Sequence, residues 1–359
     1  LARAGGRTGA IVGGQSTNEE GYLLARMLRE GLGSPHLDSR VAGTLPLGLH
    51  RALGDPRLQA KVSDLEFAHA VLLLELEPLT DAPILDLRLR KGVRRHGMKL
   101  LRAHAAELSA PGQLAEQLSE QGKEIVVLWG ERLTAGPDGA DRAHALLELA
   151  GLLSVAETAG AGLLEIPAGT NGRGLREAGA LPNAGPGLSD PSEVGRDAQA
   201  IAEGVLEGEL QALYLMGADP LLLEPASTTW PLALGQAGTV IAHALFLSDG
   251  ISQHADVVFP SESYAEKEGT ITHPDGRVQR LRPAVAHPGS TRSEALLLGE
   301  LSARLGLDLG VLTATMASQQ LFDAVGFYAG LTLEEIGGKG VRWQERESAG
   351  AYPGQGLAA

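Results

Sequence analysis

The chain has 359 residues, with 30 Lys and Arg against 44 Asp and Glu, a formal net charge of −14, 43% hydrophobic residues, 48 glycines, 19 prolines and no cysteine. Without thiols it can hold no disulfide, no thiolate-ligated iron–sulfur cluster and no cysteine-based zinc site. The negative excess opposes nucleic acid, and no basic run interleaved with aromatics offsets it.

At roughly 150 residues per domain the length predicts about two domains. Apolar runs such as Val71-Leu72-Leu73-Leu74 fall far short of the ~20 residues a membrane-spanning helix needs, so no direct membrane insertion is expected. The chain begins at Leu1 with no signal-peptide pattern ahead of the first strand, and it reads as part of a longer polypeptide.

Residues 8–14 read as a short buried strand, followed over 18–31 by apolar residues at Tyr22, Leu24, Met27 and Leu28 near helical spacing. Thr17 or Asn18 can cap this helix, Glu19 and Glu20 suit its positive end, and Gly31 or Gly33 can stop it. The pattern recurs with a strand at 70–76, a helix at 82–95 with Ile84, Leu87 and Val93 inward, and strands at 98–101 and 124–129. Such alternation predicts a parallel sheet covered by helices. The Gly/Pro-rich run 167–191 suits an extended surface segment. Strands follow at 212–216, 239–243 and 255–259. Residues 269–281 alternate around Pro274-Asp275-Gly276, the pattern of a hairpin. A helix over 290–305, with Leu296, Leu297, Leu301 and Leu305 buried, closes the fold, and 349–359 reads as a frayed end.

Gly169-Thr170-Asn171-Gly172-Arg173-Gly174 offers glycines that could bring backbone N–H groups to a phosphate, but it matches neither standard nucleotide fingerprint, so plain loop and ligand loop both stand. Met216-Gly217-Ala218-Asp219-Pro220 follows a strand, where α/β folds place ligands. There Asp219 could accept hydrogen bonds from a purine base or ribose, or simply stabilise a turn. The ten histidines lack metal-site spacing and read as scattered surface residues. No G-x-S-x-G elbow is present, and Ser248-Asp249 and Ser261-Glu262 read as loop and cap residues. Glu262, Glu266 and Glu268 read as a solvated charged face.

These segments, in this order, resemble the molybdopterin oxidoreductase superfamily. The resemblance rests on Gly14-Gln15-Ser16-Thr17-Asn18-Glu19-Glu20, on the stretch from Pro83 through Arg88 to Lys91, and on Asn171-Gly172-Arg173-Gly174. It continues through Met216-Gly217-Ala218-Asp219-Pro220 and Ala255-Asp256-Val257-Val258-Phe259-Pro260. Most specific is Glu266-Lys267-Glu268-Gly269-Thr270 leading into Gly276-Arg277-Val278-Gln279. Within the superfamily the chain is most similar to the G (75 kDa-type) subunits of NADH:quinone oxidoreductase, respiratory complex I. The stretch from Tyr328 to Trp343 resembles the tail of complex I subunits and formate dehydrogenases.

The resemblance implies a formate dehydrogenase/DMSO reductase-like α/β fold of two Rossmann-like parallel-sheet domains. One domain, residues 1–55 plus 160–310, would carry the other, 56–159, as an insert, with 311–359 as a C-terminal tail. Active members hold molybdenum or tungsten on two pterin dithiolenes and a cysteine, selenocysteine or serine. Here the aligned ligand position falls near Ala42, which has no donor atom, with Ser39 and Thr44 close by. The expectation is therefore a catalytically silent structural region with no metal and no molybdopterin, in which Asn171, Gly172, Gly217 and Asp219 are the remains of a pterin-guanine site. Iron–sulfur clusters are expected upstream, and the expected partners are other peripheral-arm subunits at the cytoplasmic side of a bacterial inner membrane. The alternatives are a molybdenum or tungsten bis-pterin enzyme of the formate dehydrogenase type, and a nucleotide-sensing module.

Overall fold

The computed structural model describes residues 1–40, 43–222 and 227–354. Among these, twelve strands form three sheets: β1 (Thr8–Val12), β2 (Leu37–Asp38), β3 (Ala70–Leu74), β4 (Lys99–Ala103), β5 (Ile125–Gly130), β6 (Gly162–Ile166), β7 (Ala212–Met216), β8 (Thr239–Ala244), β9 (Val257–Pro260), β10 (Gly269–Thr272), β11 (Arg277–Leu281) and β12 (Val341–Arg342). Two compact units divide them. A discontinuous unit comprises Leu1–Thr44 and Gly169–Ala351, and an inserted unit comprises Leu45–Ala168 with Tyr352–Ala359.

The discontinuous unit is built on a parallel sheet of order β2-β1-β7-β8-β9. The inserted unit has a parallel sheet of order β4-β3-β5-β6. In each, the first strand sits inside the sheet and the chain reverses its direction of growth beside it, between β1 and β7 or between β3 and β5. Ligand crevices form at such switch points, outside the carboxyl ends of the strands. Strands β1, β3, β5 and β7 are buried throughout, as sheets covered on both faces require. The third sheet is antiparallel: β10 and β11 form the hairpin around Pro274-Asp275-Gly276, and β12 adds to β11.

The first helix, Asn18–Arg26, starts at Thr17 in a capping box, with Thr17 Oγ1 accepting from Glu20 N and Glu20 Oε2 accepting from Thr17 N. A π-helical turn, Met27–Leu32, prolongs it to Gly33, whose φ of 67° ends it.

Several expectations require correction. The helix Pro83–His96 buries Leu85, Leu89 and Gly92, whereas Ile84 and Leu87 are 69% and 61% exposed and Val93 is exposed too. The i, i+4, i+7 series 85-89-92 wins because Leu85 and Leu89 join an apolar cluster with Leu65, Val71 and Leu73. In the helix Glu294–Arg304 the buried side is Ala295, Leu297, Leu298 and Ser302, with Leu296, Leu301 and Leu305 only half-buried.

The glycine-rich run 167–191 is not an extended surface segment. It contains the helix Gly172–Glu177, and residues 171–182 are buried, because small residues let this segment pack inside the unit. The run does lie between the strands of the two sheets, after β6 at Gly162–Ile166 and before β7 at Ala212–Met216.

The units also cut the chain elsewhere than residues 55, 160 and 310. The helix Leu47–Leu53 contributes Leu49 and Leu53 to the core of the inserted unit, and β6 belongs to the same unit. Residues 311–351 belong to the discontinuous unit, where Phe322, Phe327, Tyr328 and Trp343 are fully buried. Ala349 and Tyr352 are buried rather than frayed, and 355–359 lie outside the described residues. Among the described residues no helix is long and apolar enough to cross a membrane.

Candidate functional site

A cavity of about 180 Å³ opens at the carboxyl ends of β1, β7 and β8 in the discontinuous unit. Gln15 and Ser16 follow β1, Gly217, Ala218 and Asp219 follow β7, and His243 and Ala244 end β8. Ser261, Glu262, Lys267 and Glu294 supply the rest of its polar lining. The strand ends come close because glycine permits it: a Cβ on Gly13 would fall 1.9 Å from the Gly217 carbonyl oxygen, and Gly217 turns with φ +58°. Likewise a Cβ on Gly14 would lie 2.4 Å from Gly169 Cα. Here glycine serves the approach of backbone to backbone.

Beside the cavity lies a buried charge cluster. Lys267 Nζ donates to Glu20 Oε1 at 2.9 Å and Oε2 at 2.8 Å, and also to Glu294 Oε2. Glu294 Oε1 accepts from Ser261 Oγ at 2.8 Å and lies 3.4 Å from His243 Nδ1. His243 Nε2 is 2.6 Å from the Tyr214 hydroxyl. Glu262 accepts from the Glu294 amide at 2.9 Å and pairs with His287 at 2.6 Å. Glu19 accepts from Thr270 N, Thr270 Oγ1 and Ser318 Oγ.

Burial shapes the titration. It pushes the Glu20 carboxyl up to about 8, aided by the Glu294 charge and opposed by Lys267. Burial works against Glu294 as well, but the neighbouring His243 ring and the Lys267 charge hold it down at about 2. Lys267 is held above the usual lysine range, because Glu20 and Glu294 outweigh the burial that would lower it. Burial raises Glu19 and Glu262. At neutral pH the Glu20–Lys267–Glu294 triad therefore carries one proton more than two carboxylates and an ammonium would suggest, and it is close to neutral. Oxygen atoms of Glu20, Glu262 and Glu294 lie within 4.8 Å of one another, an arrangement that could hold a metal ion, but Lys267 bonds two of these carboxylates and takes the place of a cation.

Two of the four residues singled out in the sequence, Gly217 and Asp219, line the cavity. Asp219 accepts from Leu221 N at 2.9 Å and from Ser248 Oγ, which is the turn arrangement. Asn171 and Gly172 do not line it. Asn171 is fully buried, donates both amide hydrogens, to Ser16 O at 2.8 Å and Asn18 Oδ1 at 2.9 Å, and accepts from Thr272 N at 2.8 Å. Gly172 begins a helix, its N–H bonded to Gly169 O. Ala42 lies outside the described residues. Ser39 Oγ is buried with no hydrogen-bond partner among the described residues.

Sequence reasoning missed His243, Lys267, Glu294 and Glu262 as a cluster. His243 is a buried histidine rather than a surface one, and Glu262 is buried rather than solvated, because partners distant in sequence, Tyr214 for the ring and His287 and the Glu294 amide for the carboxylate, receive their polar atoms. Ser248 does cap a helix, accepting from Ile251 N. The one signal available was a lysine between two glutamates inside the most distinctive motif, Glu266-Lys267-Glu268.

Residues 102–304 match the family described as Molybdopterin oxidoreductase. The G subunit of the NADH-quinone oxidoreductase of Mycobacterium tuberculosis is 32% identical, over 92% of this chain and 45% of that protein. Formate dehydrogenase H of Escherichia coli is 26% identical, over 67% of this chain and 36% of that enzyme. The chain thus spans less than half the length of these relatives. Among solved structures, the formyltransferase/hydrolase complex of Methylorubrum extorquens shares the fold with a TM-score of 0.56, at 14% identity, over 82% of this chain and 91% of that one.

Proposed function

This chain belongs to the molybdopterin oxidoreductase family, and we propose that it is a catalytically silent structural region of a complex I-type G subunit. In this reading it packs against other subunits of the peripheral arm at the cytoplasmic face of a bacterial inner membrane. Electrons pass from NADH to quinone through iron–sulfur clusters held elsewhere, since the chain has no cysteine to ligate one.

The observation that carries the reading is the internal use of the polar groups at the strand ends. The cation at the cavity, Lys267, is locked between Glu20 and Glu294, Asn171 has spent both amide hydrogens, and Asp219 holds a turn. Two features of the cavity count against a pterin nucleotide: at about 180 Å³ it is smaller than the roughly 300 Å³ of typical ligand pockets, and the carboxylates of Asp219 and Glu262 line it, where phosphate charge is disfavoured. NADH:quinone turnover by the intact complex carrying Asp219→Asn or Ser248→Ala tests the assignment. Unchanged turnover is expected, and a loss of tenfold or more in an assembled complex would contradict it.

One observation favours a second reading, a molybdenum or tungsten enzyme: the buried, unpartnered Ser39 hydroxyl stands three residues from the aligned ligand position. That reading requires bound metal that Ser39→Ala weakens.

A further inference from the structure

In a chain of net charge −14, residues 83–102 carry seven Lys and Arg against the single acid Asp86, leaving 23 basic against 43 acidic side chains elsewhere. These residues form the helix Pro83–His96 and strand β4, an edge strand of the inserted unit's sheet. All seven basic side chains are exposed. Part of the charge is answered locally. Glu66 holds Arg88 at 3.3 Å, Lys91, and His96 at 3.5 Å, Asp86 holds Arg90 at 2.6 Å, and Glu77 holds Arg102 at 3.0 Å. Arg94, Arg95 and Lys99 have no acidic partner among the described residues. Arg94 and Arg95 fall on the same helix stripe as the exposed Ile84 and Leu87, at i, i+3, i+10 and i+11.

We propose that this stripe, with Lys99 on the adjoining edge strand, docks an acidic surface of a partner protein. Charge complementarity selects the partner, and the mixture of arginine with large apolar side chains is the composition of protein interfaces. A bilayer fits less well, because the helix has already spent its continuous apolar side, Leu85 and Leu89, on the unit's own core. A membrane-surface helix must instead bury that side in lipid. Nucleic acid fits less well again: Ile84 and Leu87 offer nothing to phosphates, and the neighbouring exposed aromatic, Phe67, packs on His96 at 4.8 Å between ring centroids.

The inference shares with the proposed function the premise that this region meets other subunits, but its test reads neither turnover nor metal content, so the two fail separately. A photo-reactive benzoylphenylalanine replaces Leu87 in the full-length chain within its assembled complex, with the same probe at exposed Leu152 as control. The expected adduct is to a protein segment rich in Asp and Glu, with its yield reduced roughly tenfold by Arg94→Glu/Arg95→Glu while the unfolding midpoint of the chain stays put. The proposal is overturned by an adduct no stronger than that at Leu152, by one to lipid, nucleic acid or a non-acidic segment, or by a yield that the charge reversal leaves unchanged.

Discussion

Replacing Lys267 by methionine probes the buried triad most sharply. The ammonium makes two hydrogen bonds to Glu20, at 2.9 and 2.8 Å, and a third to Glu294. At about 2.8 Å and an effective dielectric of 20, one ammonium–carboxylate pair attracts by about 6 kcal/mol before desolvation is counted, and at neutral pH that pair is Lys267 with the ionised Glu294. Removing one partner of such a buried pair costs a net ~3–5 kcal/mol, because the other charge is left without compensation. The cost depends on pH. In the parent, Glu294 sits at about 2 and contributes stability that is full above the ordinary carboxylate range and is lost as pH falls through about 2. Without Lys267 that contribution vanishes, and the pair of carboxylates must take up protons to stay buried. Lys267→Met is therefore expected to lose about 3–5 kcal/mol at pH 8 and distinctly less at pH 4. Urea unfolding followed by the fluorescence of the buried Trp230 and Trp343 reads this. A loss under about 1 kcal/mol at pH 8, or an equal loss at both pH values, would refute the reasoning.

The raised carboxyls act in the opposite sense. Burial pushes Glu20 up to about 8 and Asp38 up to about 7, so their contribution is complete below the ordinary carboxylate range and is lost as pH rises through those values. The urea midpoint of the parent should accordingly decline between pH 5 and pH 8, and a midpoint that rises over that interval would contradict these shifts. Gly14→Ala places a methyl group 2.4 Å from Gly169 Cα and should cost about 3 kcal/mol or prevent folding, measured by the same unfolding curve. Leu85→Ala should cost about 2–5 kcal/mol and Leu87→Ala under ~0.5 kcal/mol, the reverse of what the expected helix face implies. Guanine nucleotides should leave the melting temperature unchanged, whereas a site filled at 100 times its Kd would add about 2.7 kcal/mol.

The alternation of strands and helices was legible in the sequence because buried parallel strands read as apolar runs: β3, β5 and β7 stand out at Ala70–Leu74, Ile125–Gly130 and Ala212–Met216. Thr17 as a cap, with Glu19 and Glu20 at the positive end, announced a helix start, and Pro274-Asp275-Gly276 announced the hairpin turn. What failed were inferences that need a partner from elsewhere in the chain. The helix face at Leu85 and Leu89 is set by Leu65, Val71 and Leu73, and local spacing alone could not choose it over Ile84 and Leu87. The charge cluster joins Glu20, Lys267 and Glu294 across 247 and 27 residues of sequence, and each side chain alone reads as a solvated surface charge. Asn171 was singled out for its loop, yet its neighbour Asn18 and the hairpin residue Thr272 decide what its amide does.

The central claim, a silent scaffold in place of a reaction centre, is tested most directly by the molybdenum and tungsten content of the full-length protein purified from cells supplied with both metals. The account predicts no more than trace amounts of either, in the parent and in Ser39→Ala alike. One atom of molybdenum or tungsten per chain, lost in Ser39→Ala, would contradict it.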